Sequence, residues 1–162
     1  MEPALVRRAT MTDVPAIHRL ITHHAELNRM LFRSHADLYE HLRDFLVYDA
    51  STGSEPQIIG CAALNLIMRD LAEIKSLAVD QPQIGKGVGR ALVEQAIAEA
   101  RDLGLQRVFA LTREVSFFKK LGFGQVPMDS LPHKVWTDCV KCPLQENCDE
   151  VAVVFDLRGG PG

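Results

Sequence analysis

The stretch that decides the fold runs from residue 80 to residue 90 and reads Asp80-Gln81-Pro82-Gln83-Ile84-Gly85-Lys86-Gly87-Val88-Gly89-Arg90. It follows an apolar, strand-like segment, Leu71–Val79, and it leads into a helical pattern that extends from about residue 87 to residue 103. The three glycines let a ligand approach the main chain, and the N–H groups at a helix N-terminus favour an anion. The pattern therefore predicts a cradle for a pyrophosphate. The alternative is a glycine-rich turn that holds no ligand.

Two common nucleotide-binding loops do not fit this stretch. A Walker A loop needs Gly-Lys followed by Ser or Thr, whereas Gly85-Lys86 is followed by Gly87. A dinucleotide fingerprint needs G-x-G-x-x-G, and this stretch has G-x-G-x-G. Neither nucleotide-binding motif is present.

The elements on either side of the loop predict an α/β fold with a mixed sheet. Before the loop, we expect an edge strand at 5–9, a helix with the apolar stripe Val14, Ile17, Leu20, Ile21 and Ala25, a second helix carrying Leu38, Leu42 and Phe45, and strands near 45–48 and 58–66. After it, we expect strands at 108–111, 123–126 and 151–157 and a short helix at 115–121. The strand–helix–strand unit around the loop predicts a right-handed crossover between parallel strands. Residues 1–157 are predicted to form one domain, and residues 158–162 a flexible tail.

The loop and its surroundings resemble motif A of the GNAT superfamily of acetyl-CoA-dependent N-acetyltransferases. Leu77-Ala78-Val79 precedes the loop and Phe117-Phe118-Lys119-Lys120-Leu121-Gly122-Phe123 follows it, as in that family. The resemblance implies the GNAT fold, a central mixed sheet flanked by helices, with acetyl-CoA as cosubstrate. It assigns cofactor contacts to Leu77, Ala78, Val79, Ile84, Gly85, Lys86, Gly87, Val88, Gly89, Arg90, Phe117 and Phe118. Ile84 departs from the family motif, which has Gln or Arg at that position.

Three segments resemble more narrowly the short bacterial amino-acid N-acetyltransferases, which are similar to the acetyltransferase domain of N-acetylglutamate synthase. These segments cover residues 71–79, 107–112 and 131–150. The resemblance implies transfer of the acetyl group to the α-amine of L-glutamate, the first step of arginine biosynthesis. The alternatives are a GNAT enzyme for another small amine or amino acid, and a non-catalytic module that binds acetyl-CoA for regulation. Because members of the family are commonly dimers, a homodimer is also considered.

Glu73 is the predicted general base. Strand alternation predicts that Glu73 and Lys75 share one face with Leu77 and Val79, the face on which the acetyl group is expected. Glu73 would accept the proton of the acceptor ammonium directly or through water. Its alternative role is that of an exposed strand acid or an ion-pair partner of Lys75. The resemblance further implies that a main-chain N–H near 77–79 polarises the thioester carbonyl.

A glutamate acceptor brings two carboxylates, so its site needs cations. Arg33 lies between the first two helices, in the loop that covers the acceptor site in GNAT proteins, and Lys75 offers a compact charge. Thr112 could help to position a water molecule. The sequence leaves five other arginines open as alternatives: Arg7, Arg8, Arg29, Arg43 and Arg113. Phe118 stands where many GNAT enzymes have a tyrosine that protonates the leaving thiolate.

The remaining cysteines and histidines give weaker patterns. His133 with Cys139, Cys142 and Cys148 has the residue types of a zinc site, but the spacing matches no standard zinc knuckle. Free thiols are favoured over zinc and over a disulfide or redox role. Cys61 is predicted to be a small buried residue. The pair His23-His24 is predicted to lie on an exposed helix face.

Composition excludes several functional classes. The 162 residues carry a net charge of −3, which argues against nucleic acid as a partner, because phosphate binding needs a clustered basic face. No apolar run reaches the length of a membrane helix, and Met1-Glu2-Pro3 does not begin a signal peptide, so the predicted location is the cytoplasm. The predicted partners are therefore two small molecules, acetyl-CoA and L-glutamate.

Overall fold

The computed structural model describes residues 5–132 and 150–158. Its strands are β1 (Val6–Arg8), β2 (Phe45–Asp49), β3 (Ile58–Met68), β4 (Leu71–Val79), β5 (Arg107–Thr112), β6 (Gly124–Val126) and β7 (Val151–Asp156). Its helices are α1 (Val14–Glu26), α2 (His35–Glu40), α3 (Val88–Asp102) and α4 (Val115–Lys120). The strands form one sheet in the order β1-β2-β3-β4-β5-β7-β6, and among these described strands only β4 and β5 pair in parallel. The predicted mixed sheet with flanking helices is confirmed.

Helices cover both faces of the sheet. The predicted stripe of α1 is buried and packs with Phe45, Val47 and Cys61 on one face. On the other face, α3 packs against Leu64, Ile74 and Val108. This approach of α3 is close, because a Cβ on Gly60 would lie 2.7 Å from Cγ1 of Val88. Among the described helices none could span a bilayer.

The second predicted helix is shorter than its apolar spacing indicated. Helix α2 ends at Glu40, Leu42 begins a 3-10 turn, and Phe45 is the first residue of β2. Leu38, Leu42 and Phe45 are nevertheless all buried in the same cluster. Their helical spacing therefore reflects a shared core rather than one continuous helix.

A bulge in β4 changes which side chains share a face. Cys61 of β3 is opposite Ala78, but Ala63 is opposite Lys75, so β4 has one extra residue over this interval. Ser76 takes up the extra residue with a φ of 55°. Leu77 and Val79 consequently pack on the α3 side, whereas Ala78 packs on the α1 side. The prediction that Glu73 and Lys75 share a face with Leu77 and Val79 was wrong, because alternation reverses at the bulge.

Strands β4 and β5 pair only at their beginnings. The parallel register joins Leu71 to Arg107, Ala72 to Val108 and Glu73 to Phe109. In the part of the chain that the structure describes, this register does not continue toward Val79 and Thr112. The two strands therefore open into a cleft. The loop of residues 80–90, which we call the cofactor loop, follows the end of β4 at this cleft.

Candidate active site

The loop from residue 80 to residue 90 has the main-chain geometry of an anion cradle. Gly85 and Gly87 have φ values of 88° and 89°, and Gly87 is the residue before the first turn of α3. Helical pairing begins at Ala91, whose N–H donates to the Gly87 carbonyl at 3.0 Å. The N–H groups of the first turn, residues 88–90, therefore have no carbonyl within the helix to bind. A Cβ on Gly85 or Gly87 would meet no atom within 4 Å, so the space beside both residues is open.

The side chains of this loop divide between the core and the surface. Val88 is buried, whereas Ile84 is about half exposed. Lys86 and Arg90 are exposed, and Arg90 pairs with Glu94 at 3.1 Å. The charged side chains are thus at the surface, while the main-chain donors form the cradle.

The two phenylalanines of α4 lie in different surroundings. Phe117 is half-buried beside the loop, since a Cβ on Gly89 would lie 3.3 Å from its Cζ. Phe118 is 4% exposed and packs edge-to-face with Phe117 and Phe123, with ring centroids 5.0 Å apart in each pair. Phe117 therefore lies at the cofactor loop, whereas Phe118 belongs to the core.

Glu73 lies at the point where the cleft opens. It is the last residue of β4 in register with β5, opposite Phe109, and its antiparallel partner on β3 is Asn65. Glu73 is one of four buried polar or charged residues in the described chain, at 8% exposure. A buried carboxyl group at the base of a cleft is a typical position for an acid–base group.

Arg33 is held against the β4 bulge by three contacts. Its Nε donates to Oδ2 of Asp37 at 2.5 Å, and its Nη1 donates to Oγ of Ser76 at 3.1 Å. Its guanidinium lies 5.1 Å from the ring centre of Phe45. The hydrogen bond from Arg33 holds the pKa of Asp37 below its usual value. The side chain of Arg33 is only 14% exposed, so its charge is well fixed in position.

Asp37 is within reach of Arg33 because it lies four residues later, in the first turn of α2. Ser34 caps α2, and its Oγ accepts the N–H of Asp37 at 3.0 Å. The carboxylate of Asp37, however, pairs with Arg33 and also lies 3.6 Å from Nε2 of His41. The cap thus fixes the acid that in turn orients Arg33.

Lys75 is the second cation on this side of the sheet. Its charge favours the ionised forms of Asp37 and Asp44 and so acts to lower the pKa of both carboxyl groups. For Asp44, burial is the larger effect and raises the pKa above its usual value. Arg33 and Lys75 are therefore both beside the bulge, as the acceptor prediction requires.

The other predicted acceptor residues have different surroundings. Thr112 is buried at the end of β5, where its Oγ1 accepts the N–H of Glu114 at 2.7 Å. Arg7 pairs with Asp13 and Asp49, and Arg8 pairs with Glu99. Arg43 is exposed, whereas Arg29 and Arg113 make the contacts at the cleft that are described below.

His24 is a buried residue that the sequence interpretation missed. It is 5% exposed, and its Nε2 is 2.7 Å from the carbonyl oxygen of Val79, at the end of β4. The prediction of an exposed His23-His24 pair was wrong for His24, although His23 is exposed. The spacing contained the signal, because His24 follows Leu20 by four residues and Ile17 by seven and so belongs to the buried stripe.

The cysteine predictions have separate outcomes. Cys61 is fully buried as predicted, and burial raises the pKa of its thiol to about 12. His133, Cys139, Cys142 and Cys148, the zinc candidates, lie outside the described residues. Among residues 5–132 and 150–158, there is no cluster of three or more side chains suited to a metal ion.

Comparison with known proteins decides the family. The model of the acetyltransferase (GNAT) family matches residues 14–123, which include α1, the cofactor loop, Glu73 and α4. The chain belongs to the GNAT acetyltransferase family. It is an acetyl-CoA-dependent N-acetyltransferase.

Curated relatives cover most of this GNAT acetyltransferase. It is 42% identical over 152 residues to an uncharacterized N-acetyltransferase of Chlorobaculum tepidum, a match that covers 94% of this chain and 96% of that protein. It is 40% identical over 122 residues to the amino-acid acetyltransferase of Mycobacterium tuberculosis, covering 75% of this chain and 69% of that protein. The enzyme is thus related to amino-acid acetyltransferases.

Solved structures agree with this placement. A Mycobacterium tuberculosis protein in complex with CoA superposes with a TM-score of 0.82 at 32% identity, covering 94% of this chain and 98% of that one. N-acetylglutamate synthase of Neisseria gonorrhoeae, in complex with coenzyme A and N-acetyl-glutamate, superposes with a TM-score of 0.81 at 30% identity. That match covers 94% of this chain but 34% of the synthase.

Proposed function

We propose that this GNAT enzyme transfers the acetyl group of acetyl-CoA to the α-amine of L-glutamate, a reaction that would supply arginine biosynthesis. The observation that carries the proposal is the placement of two cations, Arg33 and Lys75, beside the β4 bulge and near the opening of the cleft at Glu73. An acceptor with two carboxylates matches two neighbouring cations, of which Arg33 is held in position by Asp37 and Ser76. The names of the Mycobacterium tuberculosis and Neisseria gonorrhoeae relatives support the same acceptor class.

The cofactor loop would hold the pyrophosphate of acetyl-CoA. The N–H groups of Gly85, Gly87 and the first turn of α3 supply the hydrogen bonds, and the positive end of the α3 dipole favours the anion. Main-chain donors suffice for this role, which explains how Ile84 can replace the Gln or Arg of the family motif. Phe117, beside the loop, would pack against the arm of the cofactor.

Arg33 would bind one substrate carboxylate with the nitrogen that its structural contacts leave over. Its Nε is occupied by Asp37 and its Nη1 by Ser76. In the described part of the chain, Nη2 of Arg33 has no such partner. Lys75 would bind the second carboxylate as a point charge. Asp37 already offsets the charge of Arg33. Lys75 is therefore important for attracting a substrate that carries two carboxylates.

Glu73 would act as the general base. It would accept a proton from the acceptor ammonium, so that the neutral amine can form the new C–N bond as the C–S bond of the thioester breaks. The sulfur leaves as a thiolate. Because Phe118 lies in the core and has no proton to donate, we propose that the thiolate is protonated by water or leaves without assistance.

An acceptor panel tests the proposal. The intact enzyme is given saturating acetyl-CoA and one amino acid at a time, and CoA release is measured together with the mass of the acetylated product. We expect L-glutamate to have the highest kcat/KM, with L-glutamine, L-aspartate and L-lysine as comparison substrates. A preference for a cationic or apolar amino acid would contradict the proposal and would identify the acceptor as another small amine.

A further inference from the structure

The C-terminal end of α1 is a structured junction rather than a frayed terminus. Asn28 has a φ of 60°, and its N–H donates to the Ala25 carbonyl at 3.0 Å. The N–H of Arg29 donates to the His24 carbonyl at 3.0 Å. These two bonds form a Schellman motif. The motif turns the chain back so that Arg29 lies alongside His24.

On the β4 side of the cleft, the junction contacts both the strand and the cofactor loop. His24 Nε2 lies 2.7 Å from the Val79 carbonyl oxygen, and Arg29 Nη1 lies 3.0 Å from His24 Nδ1. The same Nη1 donates to Oε1 of Gln81 at 3.0 Å. Since the guanidinium can only donate, His24 Nδ1 accepts and Nε2 carries the proton donated to Val79. Arg29 and His24 together therefore join α1, β4 and the start of the cofactor loop.

On the β5 side of the cleft, the junction has a second connection. Arg113, directly after β5, donates from Nη1 to the carbonyl oxygen of Asn28 at 2.7 Å. Arg113 lies in the short link to α4, which carries Phe117. The junction formed by His24, Asn28 and Arg29 thus bridges the ends of the two strands that diverge to form the cleft.

We propose that Arg29 is a positioning residue that fixes the acceptor loop, residues 27–34, relative to the cofactor loop. The inference rests on the proposed function, because Arg33 at the end of this loop is the residue assigned to the acceptor. The stretch from Arg29 to Arg33 is fixed at both ends, by the junction and by the Arg33 contacts with Asp37 and Ser76. Releasing the first end lets the loop move and weakens binding of the acceptor, while the phosphate cradle keeps its geometry.

The kinetic test compares two replacements of Arg29 in the intact enzyme. Arg29→Gln removes the charged donor, and we expect the KM for L-glutamate to rise about five- to twentyfold, less than for loss of a charged hydrogen bond to the substrate itself, because Arg29 acts through the loop. The KM for acetyl-CoA and the Kd for CoA should stay within about twofold of wild type, since a general loss of structure would affect both substrates. Arg29→Lys keeps a donor and should restore part of the glutamate affinity. Arg69→Gln, in the exposed β3–β4 turn, is the control and should leave all constants unchanged.

Gln81, which accepts the hydrogen bond from Arg29, provides a second test of the proposal. Gln81→Leu removes the acceptor of the hydrogen bond and should raise the glutamate KM in the same direction. If both residues act through one contact, combining Arg29→Gln with Gln81→Leu gives less than the product of the two single effects. Multiplicative effects would overturn the proposed connection between Arg29 and Gln81.

Amide hydrogen exchange separates this inference from the proposed function. With CoA bound, Arg29→Gln should speed exchange at residues 30–34 and leave β2 and β3 protected, whereas Arg69→Gln should change neither. If wild-type enzyme does not acetylate glutamate, the proposed function fails, and exchange at residues 30–34 still decides the role of Arg29. If glutamate is acetylated while Arg29→Gln shows wild-type KM and exchange, the positioning role is wrong and the proposed function stands.

Discussion

Arg33 donates a hydrogen bond from Nη1 to the Ser76 Oγ at 3.1 Å, and this contact joins the acceptor loop to the bulge in β4. The bulge gives Ser76 a positive φ, which few residues other than glycine adopt, so the position is specialised. The contact makes the geometry of the strand and the position of Arg33, the proposed acceptor residue, depend on each other.

The first prediction concerns the charge of the acceptor site. Arg33→Ala and Lys75→Ala should each lower kcat/KM for L-glutamate by about ten- to a hundredfold, because each removes a charge-assisted hydrogen bond. The Kd for CoA should not change. Kinetics with L-glutamine assign each residue to a carboxylate. A residue that binds the side-chain carboxylate loses its preference for glutamate, and one that binds the α-carboxylate loses both substrates together.

Wild-type kinetics for both substrates in both variants would show that neither Arg33 nor Lys75 binds the acceptor. The family assignment would not be affected by that outcome.

The second prediction concerns the general base. Glu73→Gln should lower kcat/KM for the acceptor by about 10²- to 10⁴-fold, the usual contribution of a positioned base. The residual activity should rise with pH, because the fraction of acceptor present as free amine rises. Glu55→Gln, in the exposed turn before β3, serves as the control. A rate within twofold of wild type for Glu73→Gln would assign Glu73 a purely structural role.

The third prediction tests the phosphate cradle against simple backbone strain. Gly87 and Gly104 have φ values of 89° and 82°, and an added Cβ meets no atom within 4 Å at either position. Valine at either residue should therefore destabilise the fold, by at least about 1–2 kcal/mol. Only Gly87→Val should weaken CoA binding, by more than about tenfold, because only Gly87 adjoins the first turn of α3. Isothermal titration with CoA and thermal unfolding measure the two effects.

Wild-type CoA affinity in both folded variants would show that Gly87 does not contribute to the phosphate site. Equal losses of affinity would attribute the effect to strain alone.

The fourth prediction concerns pH and His24. Burial lowers the pKa of His24 below its usual value, while the hydrogen bond to Val79 and the charge of Asp80 oppose the shift. The nearby charges of Arg29 and His23 lower the pKa further. Because the folded state holds His24 neutral, its stabilising contribution is complete above a pH of about 6.5 and is lost as the pH falls through the lowered pKa. The free energy of unfolding should therefore decrease on acidification in this range.

His24→Gln provides the matched variant, since an amide can donate to the Val79 carbonyl and accept from Arg29 without titrating. Its free energy of unfolding, measured in urea from pH 7 to pH 5, should decrease less than that of wild type. Identical pH profiles in the two proteins would contradict the assigned protonation state.

Local signals in the sequence predicted most of the fold. Three features depend on neighbouring residues, so their patterns are visible in one sequence: the stripe of α1, strand β4 and the glycine loop before α3. The bulge at Ser76 has no comparable pattern, because it results from the register between β3 and β4. Alternation therefore failed at Leu77 and Val79, although it placed Glu73 and Lys75 correctly relative to each other.

The candidate site was predicted only in part, because some of its contacts depend on the completed sheet rather than on local patterns. Resemblance and charge selected Arg33 and Lys75 as acceptor residues, and the structure brings both to the β4 bulge, while their role stays a prediction. The contacts of His24 with Val79 and of Arg113 with Asn28 join residues separated by 55 and 85 positions. Such contacts depend on the completed sheet and leave no periodic trace in the sequence.

The divergence of β4 and β5 has a consequence for what this sheet can recognise. Beyond Glu73 and Phe109, the described parts of these strands present main-chain groups to each other across a gap, as an edge strand presents them to solvent. At the border of a sheet, such groups invite strands from other proteins and promote aggregation. Here the gap is interior, with β1, β2 and β3 on one side and β7 and β6 on the other. In this position the main-chain groups are suited to an extended ligand with amide groups rather than to the strand of a neighbouring protein.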